Sequence, residues 1–423
     1  MNTLLIVDSP AVAHRVRSLL GPGWQVQAAP RHLFDLPRGR LGVAVSEVFA
    51  LSFQLPLNHQ APLKRLQKAA VGVEAVYLAL GDDLSASGVV EALHLPPETT
   101  VRVMSLDSLS AHAWAQALAG ARPLDPKQVA AAKARRAADR LVAYLLTPLL
   151  SQRLGQPLKV DRLGLVMLSA LVEHEQRLNV PEKEHLLSAQ LGTAEGAFEA
   201  TLSAIRGKRV SMLSKAQAEA IRARLSGAHF WVKTVLTREQ PRPTPLSLAS
   251  LMAQAEAQWG WTPARTGAIV RILFEAGWIT LGAVIRPTDP ARLPAPDGQL
   301  AYGARLYGLI WEHHEGENQP LSMQRGVQIA VGTDPAHPFP LAWWTLETAQ
   351  QPLPPLTAGQ TLSLQALECR EAVPVPFSRG KLLSQLVTGG AGEALACAKA
   401  LERLESGGLV GLEGRALKPT ELG

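Results

Sequence analysis

Over the first 115 residues, short apolar runs alternate with stretches whose apolar positions recur every three or four residues. "TLLIVD", "QVQAA", "LGVAVS", "AVYLAL" and "VRVMSL" have the length and composition of strands, while "SPAVAHRVRSLL", "APLKRLQKAAVG" and "SGVVEALHL" carry helical spacing. Strand and helix in alternation predict an α/β domain with a mainly parallel sheet. Its functional edge falls at the strand C-termini, at Asp8 and the Gly81-Asp82-Asp83 group. From 126 to 225 the spacing predicts an almost wholly helical region, clearest in "VAAAKARRAADRLVAYLLTPLL" and "LGLVMLSALVEHEQ". "FWVKTVL", 230–236, reads as a strand, and Pro241, Pro243 and Pro245 mark a linker into a second helical block. The two helices of that block meet at "GWTPA", with Thr262 as N-cap and Pro263 at N1. Residues 321–366 read as β-rich and 377–413 as helical again.

Length and composition narrow the class. A chain of 423 residues exceeds one hydrophobic core and suits about two to four domains. No apolar run approaches a membrane span, and "MNTLLIVDSP" has no basic region before its apolar residues, so it reads as a first strand and not as a leader. A cytoplasmic protein with no membrane role is expected. Cys369 and Cys397 have no His or Cys at ligand spacing, which excludes a zinc ribbon and predicts buried thiols.

The formal net charge is +6, and the excess is uneven. Between Asp125 and Arg162 the bases Lys127, Lys133, Arg135, Arg136, Arg140, Arg153, Lys159 and Arg162 outnumber Asp125, Asp139 and Asp161. Arg136, Arg140 and Tyr144 stand at i, i+4 and i+8 and share one helix face, with Arg135 and Asp139 beside them. Such a face suits a polyanion; it also suits a solvated helix in which Asp139 and the arginines brace their neighbours. Leu141, Leu145 and Leu149 form a neighbouring apolar stripe expected to pack on the domain core.

Several segments resemble, in order, the characteristic blocks of the type IA DNA topoisomerases. "LLIVDSPAVAHRVRSLLG" is similar to the family's opening V-E-S-P-x-K-A-K, "RHLFDLP" to its G-H-x-x-D-L-P turn, and "VYLALGDDLSASGVVEALHL" stands in the place of its acidic Toprim motif. "ARRAADRLVAYLLTPLL", 134–150, resembles A-R-R-x-x-D-R-x-x-G-Y-x-x-S-P-L-L. "VDRLGLVMLSALV", "LYGLIW" and the final "LKPTELG" are similar to three later blocks. The resemblance implies a multidomain α/β plus α protein with a torus of four domains. These are a Toprim-like domain at 1–117, a helical DNA-groove domain from 118–225 and 367–423, a β-rich arch from 226–242 and 321–366, and a reduced helical domain at 243–320 that carries the nucleophile in the family.

The resemblance also shows what is altered. Strand cleavage needs a nucleophilic hydroxyl, carboxylates holding Mg²⁺, and cations for the developing charge. The family's G-x-I-T-Y-M-R-T falls on Gly277-Trp278-Ile279-Thr280-Leu281-Gly282-Ala283, so leucine replaces the tyrosine and Ala283 the following arginine. The family's D-x-D-x-E-G-E falls on Gly81 to Ser87 and keeps only its second acid, Asp83; Asp8 replaces the opening Glu. Asp8 and Asp83 are the candidate metal ligands, expected to hold Mg²⁺ weakly at most. "AVIRPTDP" follows two residues after Leu281 where the family has a long intervening segment, as a deletion would leave it. By resemblance Arg135, Arg136, Asp139, Arg140, Tyr144 and Arg162 match positions that line a groove for single-stranded DNA, and His32 matches the turn near the cleavage site. Gly164 replaces a polar residue of the same groove.

Together these imply a bacterial, nucleoid-associated pseudoenzyme that binds single-stranded DNA or junctions, with protein partners in DNA metabolism and no cofactor. Two alternatives stand beside it: a residually active Mg²⁺-dependent topoisomerase using Thr280 or a Toprim serine, and a protein-interaction scaffold with no DNA role.

Overall fold

The computed structural model describes residues 2–30, 32–179, 184–210, 213–225, 227–240, 243–289, 291, 301–319, 323–348, 350–372 and 375–423. Pro241 of the expected linker lies outside them. The chain divides into two compact units, one from Met1–Val172, Thr244–Glu315 and Phe377–Gly423, the other from Glu173–Pro243 and Gly316–Pro376.

The first unit opens with the expected parallel sheet. Strands β1 (Thr3–Val7), β2 (Trp24–Ala28), β5 (Ala75–Ala79) and β6 (Thr100–Val103) pair in the order β2-β1-β5-β6, while β3 (Val43–Ala44) and β4 (Ala50–Leu51) form a separate short hairpin. Every β1 residue is buried, with Leu4 and Ile6 in one core and Leu5 and Val7 in another. A strand covered on both faces explains why "TLLIV" lacks polar alternation. Helices α1 (Pro10–Arg17), α2 (Gln60–Ala69), α3 (Asp83–Leu93) and α4 (Ala111–Ala119) flank the sheet strands in sequence.

Next come α5 (Pro126–Leu141), a π-helical turn at Val142–Leu146, α6 (Thr147–Leu154) and α7 (Arg162–Leu178). Asp125 caps α5 by accepting the Lys127 N–H at 2.8 Å, with Pro126 at N1. The widened turn has a local cause. Pro148 has no N–H to donate back to residue 144, while the Thr147 N–H reaches the Val142 carbonyl five residues back and the Thr147 hydroxyl lies within hydrogen-bond distance of the carbonyls of Val142 at 3.1 Å and Val160 at 2.8 Å. The expected packing of Leu141, Leu145 and Leu149 does not hold: Leu145 is 50% exposed and Leu149 62%. Extending the turn at 142–146 shifts the helical phase, so a stripe spaced for 3.6 residues per turn swings away from the core.

Residues 184–209, expected to be helical, are strands: β7 (Glu184–Thr193), β8 (Gly196–Ile205) and β9 (Lys208–Arg209), followed by α8 (Lys215–Leu225) and β10 (His229–Glu239). Leu187, Ala189 and Leu191 are buried at alternate positions, as are Phe198, Ala200 and Leu202. This period of two decides the structure over an Ala- and Leu-rich composition that favours helix. The boundary at 225 is corrected accordingly, because β7–β9 belong to the β-rich unit.

The chain returns to the first unit with α9 (Leu248–Trp259) and α10 (Pro263–Glu275), the latter capped as expected by Thr262, which accepts the Arg265 N–H at 3.2 Å. After α11 (Ala301–Asn318) it supplies β11 (Met323–Gly332), β12 (Pro338–Leu346) and β13 (Thr361–Ala372) to the second unit. The antiparallel order β12-β11-β10-β13-β7-β8-β9 is joined by a further β12–β8 pairing, so six of the strands close on themselves. Trp343 fills the interior, fully buried, while its neighbour Trp344 lies 5.0 Å from the Arg238 guanidinium. Strand β13 runs to Ala372, which moves the 366/367 boundary into the second unit. Cys369 on it is exposed, contrary to expectation, and Cys397 is buried.

Helices α12 (Arg379–Thr388) and α13 (Ala394–Ser406) and the hairpin β14 (Val410–Glu413) with β15 (Ala416–Pro419) complete the first unit. Their core joins Leu383, Cys397 and Leu401 to Met167 and Leu171 of α7 and Met252 of α9.

Candidate functional site

Strands β1 and β5 run parallel and paired, so Asp8 and Gly81 leave the sheet at the same edge. Gly81, at φ +83°, turns the chain sharply into α3. Asp82 caps that helix: it accepts the Ser85 N–H at 2.7 Å and the Ser85 hydroxyl at 2.8 Å. His32 Nδ1 lies 3.1 Å from the same hydroxyl, so the sequence-assigned histidine does reach this turn.

Asp83 is committed elsewhere. Arg122 grips its carboxylate with two hydrogen bonds, at 2.9 and 2.6 Å, and the Asp125 N–H adds a third at 2.9 Å. The hydrogen bonds from Arg122 hold the Asp83 carboxyl below the usual carboxylate range against the opposing effect of burial; the Asp125 N–H and the Arg122 charge act in the same direction. Arg122 is itself anchored, because its backbone bridges Val103 at the end of β6. Asp83 therefore staples the start of α3 to the end of β6 and the cap of α5. The expected pairing of Asp8 with Asp83 as metal ligands is corrected: one carboxylate is consumed by a guanidinium, and Gly81 and Ser85 supply no further acid. Among the described residues no group of three His, Cys, Asp or Glu side chains converges as a metal site. The residues present do not fit Mg²⁺.

The staple has a pH signature. A carboxyl whose pKa is lowered on folding adds stability above its unfolded value near ~3.9, and that stability is lost as pH falls through the folded value. Arg122→Ala is expected to lower unfolding free energy at pH 7 by about 1–3 kcal/mol, because Asp83 is left buried with one partner. Asp83→Asn should flatten the acid limb of the stability–pH curve below pH ~4. Denaturant titrations between pH 3 and 7 measure both, and an unchanged acid limb counts against the staple.

A cavity of about 310 Å³ at this sheet edge is lined by Asp8, Asp107, Arg271, Glu275 and Leu281, among others. Leu281 donates its N–H to the Asp107 carbonyl at 2.7 Å, and its side chain packs on the apolar cluster of Trp261, Val270, Leu273 and Tyr307. The flanks close into a tight loop, with Ile279 bridging Pro287 and the Thr280 N–H donating to the Arg286 carbonyl at 2.8 Å. Ile279 and Ile285 are both buried beneath it. The Thr280 hydroxyl is used within that loop, donating to the Val284 carbonyl at 3.2 Å and accepting the Arg286 N–H at 2.9 Å. Around the cavity, Ser9 donates to Glu275 at 3.3 Å, Arg271 donates to the same carboxylate at 3.1 Å, and the Arg15 guanidinium lies against Gly277. Among the tyrosines with described side chains, Tyr307 is buried, Tyr77 packs on Trp24 at 5.3 Å, and Tyr144 lies on the basic helix. None of them lines this cavity.

The basic helix face is present, and most of it is braced. Arg136 pairs with Asp35. Arg140 donates to the carbonyls of Pro37, Arg40 and Leu41, and its guanidinium stacks 3.9 Å from the Tyr144 ring centroid. Tyr144 donates its hydroxyl to the Arg38 carbonyl. Arg162 pairs with Asp139 at 2.7 Å and donates to the Ala391 carbonyl at 3.3 Å. Arg135 is exposed. The arginines thus hold the 35–41 loop against α5 while keeping part of each guanidinium at the surface. The Asp35 carboxyl is pushed up by burial, but the Arg136 charge, the Leu36 N–H and the Arg136 hydrogen bond outweigh this and leave it below its ordinary range. Arg122, Asp107 and Glu275 have no motif of their own in the sequence. Only the three-dimensional meeting of 83 with 122, and of 107 with 281, singles them out.

Comparison with known proteins gives a consistent result. The family model described as DNA topoisomerase matches residues 123–281, and so ends on Leu281. DNA topoisomerase 1 of Synechocystis is 28% identical over 321 residues, covering 66% of this chain and 36% of that protein. DNA topoisomerase 1 of Treponema pallidum is 28% identical over 289 residues, covering 66% and 39%. This chain thus spans between a third and two fifths of those curated relatives. Among solved structures, full-length topoisomerase I from Thermotoga maritima matches with a TM-score of 0.72 at 20% identity, over 99% of this chain and 80% of that one. The mixed α/β architecture is that of this full-length structure. No helix among the described residues is long and apolar enough to cross a membrane.

Proposed function

We propose that the chain is a member of the type IA DNA topoisomerase family that binds single-stranded DNA, or single-strand/duplex junctions, through the α5–α6 face without cutting it. One observation carries this: Leu281, at the nucleophile position, is tied by its amide to Asp107 and packed by its side chain into the apolar cluster of α10 and α11. Ala283 in place of the arginine, and the Arg122 guanidinium on Asp83, support the same conclusion. Thr280 and Ser85, two hydroxyls within the two altered motifs, are each engaged by their own turn.

The DNA-binding assignment rests on Arg135, Arg136, Arg140, Tyr144 and Arg162, with Asp139 orienting Arg162 and His32 at the neighbouring turn. Guanidinium groups hold phosphates, and the Tyr144 ring offers a stacking face. The work of such a protein is protection of a strand or recruitment of partners in DNA metabolism.

The test runs two assays together. Relaxation of negatively supercoiled plasmid with Mg²⁺ should be undetectable in the wild type and in Leu281→Tyr, which restores a hydroxyl but neither the cation nor the acids. Oligo(dT) should bind with a log-affinity against log-salt slope of about −2 to −3, as three or four phosphate contacts on a single strand predict. A covalent protein–DNA adduct in the wild type would overturn the proposal. One observation favours a second function, that of a protein scaffold: Asp35 and Asp139 already neutralise Arg136 and Arg162. Nucleic-acid binding and salt dependence left unchanged by Arg136→Ala with Arg140→Ala would favour it.

A further inference from the structure

Between the β3–β4 hairpin and α5 lies an open cleft of about 650 Å³ whose walls include Phe49, Leu51 and Phe53 on one side and Ala134 and Leu141 on the other. It adjoins a second hollow of about 530 Å³, sharing Leu51, Phe53 and Lys133 with it. The hairpin tip is apolar and exposed, Val48 at 94% and Phe49 at 49%. Both residues sit at positive φ, +50° and +59°, a conformation that disfavours β-branched and bulky side chains. A tip strained in this way holds apolar side chains out beside an apolar cleft.

Charge selects what fits there. Lys133 is the only ionisable side chain in the cleft lining. Lys127 precedes the cleft by one turn of α5 on the same side, and Arg135 flanks Ala134. Against these cations the hairpin offers Glu47 alone. An apolar trough with a basic rim complements a segment that carries apolar side chains between carboxylates. A nucleic-acid strand is a poorer occupant, because the trough itself offers one cation, Lys133, for the several phosphates that a strand brings with its stacked bases.

We infer that the cleft between the β3–β4 hairpin and α5 is a docking site for an acidic peptide segment of a partner protein, with one or two large apolar residues seated in the trough and carboxylates on Lys133 and Arg135. The trough lies apart from the arginines that brace the 35–41 loop and shares only Arg135 with the proposed DNA face.

The probe is a fluorescent acidic octapeptide carrying two phenylalanines and one leucine, titrated into the full chain by anisotropy. An octapeptide of the same charge with alanines at those three places should bind at least about tenfold more weakly. Ala134→Trp, which fills the trough from an exposed position, should weaken the first peptide by about tenfold or more, and Lys133→Glu by a similar factor that shrinks at high salt. If Ala134→Trp shifts thermal unfolding, Ala130→Trp, one turn earlier, takes its place. Equal affinity for the two peptides would overturn the inference, as would an Ala134→Trp variant that binds like wild type. So would loss of oligo(dT) binding in that variant, which would make the trough a nucleic-acid site.

Discussion

Arg136→Ala combined with Arg140→Ala is expected to weaken oligo(dT) binding by about 100-fold at low salt and to reduce the salt slope by about 1.4, the share of two single-strand phosphate contacts. The same variant should lose about 2–4 kcal/mol of stability, because charge-assisted hydrogen bonds to Asp35 and to the carbonyls of Pro37, Arg40 and Leu41 disappear. The two effects are separable. Arg140→Lys keeps a cation near the surface but cannot reach three carbonyls in a fork, so it should lose stability while retaining most of the salt slope. Bracing alone predicts the opposite pairing, a large stability loss with unchanged DNA affinity after correction for unfolding. Fluorescence anisotropy against salt, beside urea titrations, decides between them.

Glu256→Ala is expected to cost about 2–5 kcal/mol. Glu256 is only 5% exposed, on α9, yet its carboxylate accepts the N–H groups of Arg379 at 3.2 Å and Gly380 at 2.6 Å at the start of α12. The Ser378 hydroxyl takes the Lys381 N–H at 3.2 Å, so these two acceptors satisfy three amides of the first turn. A carboxylate there also meets the positive end of the helix dipole. Removing it strands two donors in a close-packed contact. Gly380→Ala probes the same contact by steric means: a Cβ would lie 2.4 Å from the Ala253 Cα, so α9 and α12 must separate. Both variants should unfold at lower denaturant; a Glu256→Ala midpoint equal to wild type would remove Glu256 from the account of how these helices are joined.

The parallel sheet was legible because β1 and β5 are buried on both faces and therefore read as uninterrupted apolar runs. Thr262 and Pro263 announced α10 because capping is a local matter of side-chain oxygens and backbone amides. The β7–β8 hairpin was not legible. Alanine and leucine carry little strand preference, and the alternation of Leu187, Ala189 and Leu191 gains meaning only when β13 and β8 lie alongside. Leu145 and Leu149 misled for the opposite reason: their spacing is helical, but Pro148 inserts a π turn that no periodicity count anticipates. At the candidate site, the substitution at Leu281 could be read from its frame. The fate of Asp83 could not, since Arg122 reaches it across 39 residues of chain through the bridge at Val103.

The closed ring of the second unit carries a consequence for biogenesis. Strands β7, β8 and β10 are synthesised before residue 240, whereas β11, β12 and β13 follow only after residue 322. Until then β7 and β8 have each other, but β10 pairs only with β11 and β13 and stays without a neighbour while the whole α9–α10 block emerges. An unpaired strand with Phe230, Trp231 and Val232 on it is a template for adhesion to other chains. The order in which this chain leaves the ribosome therefore keeps the β-rich unit open until β13 emerges, with β10 the strand most in need of a chaperone while it waits.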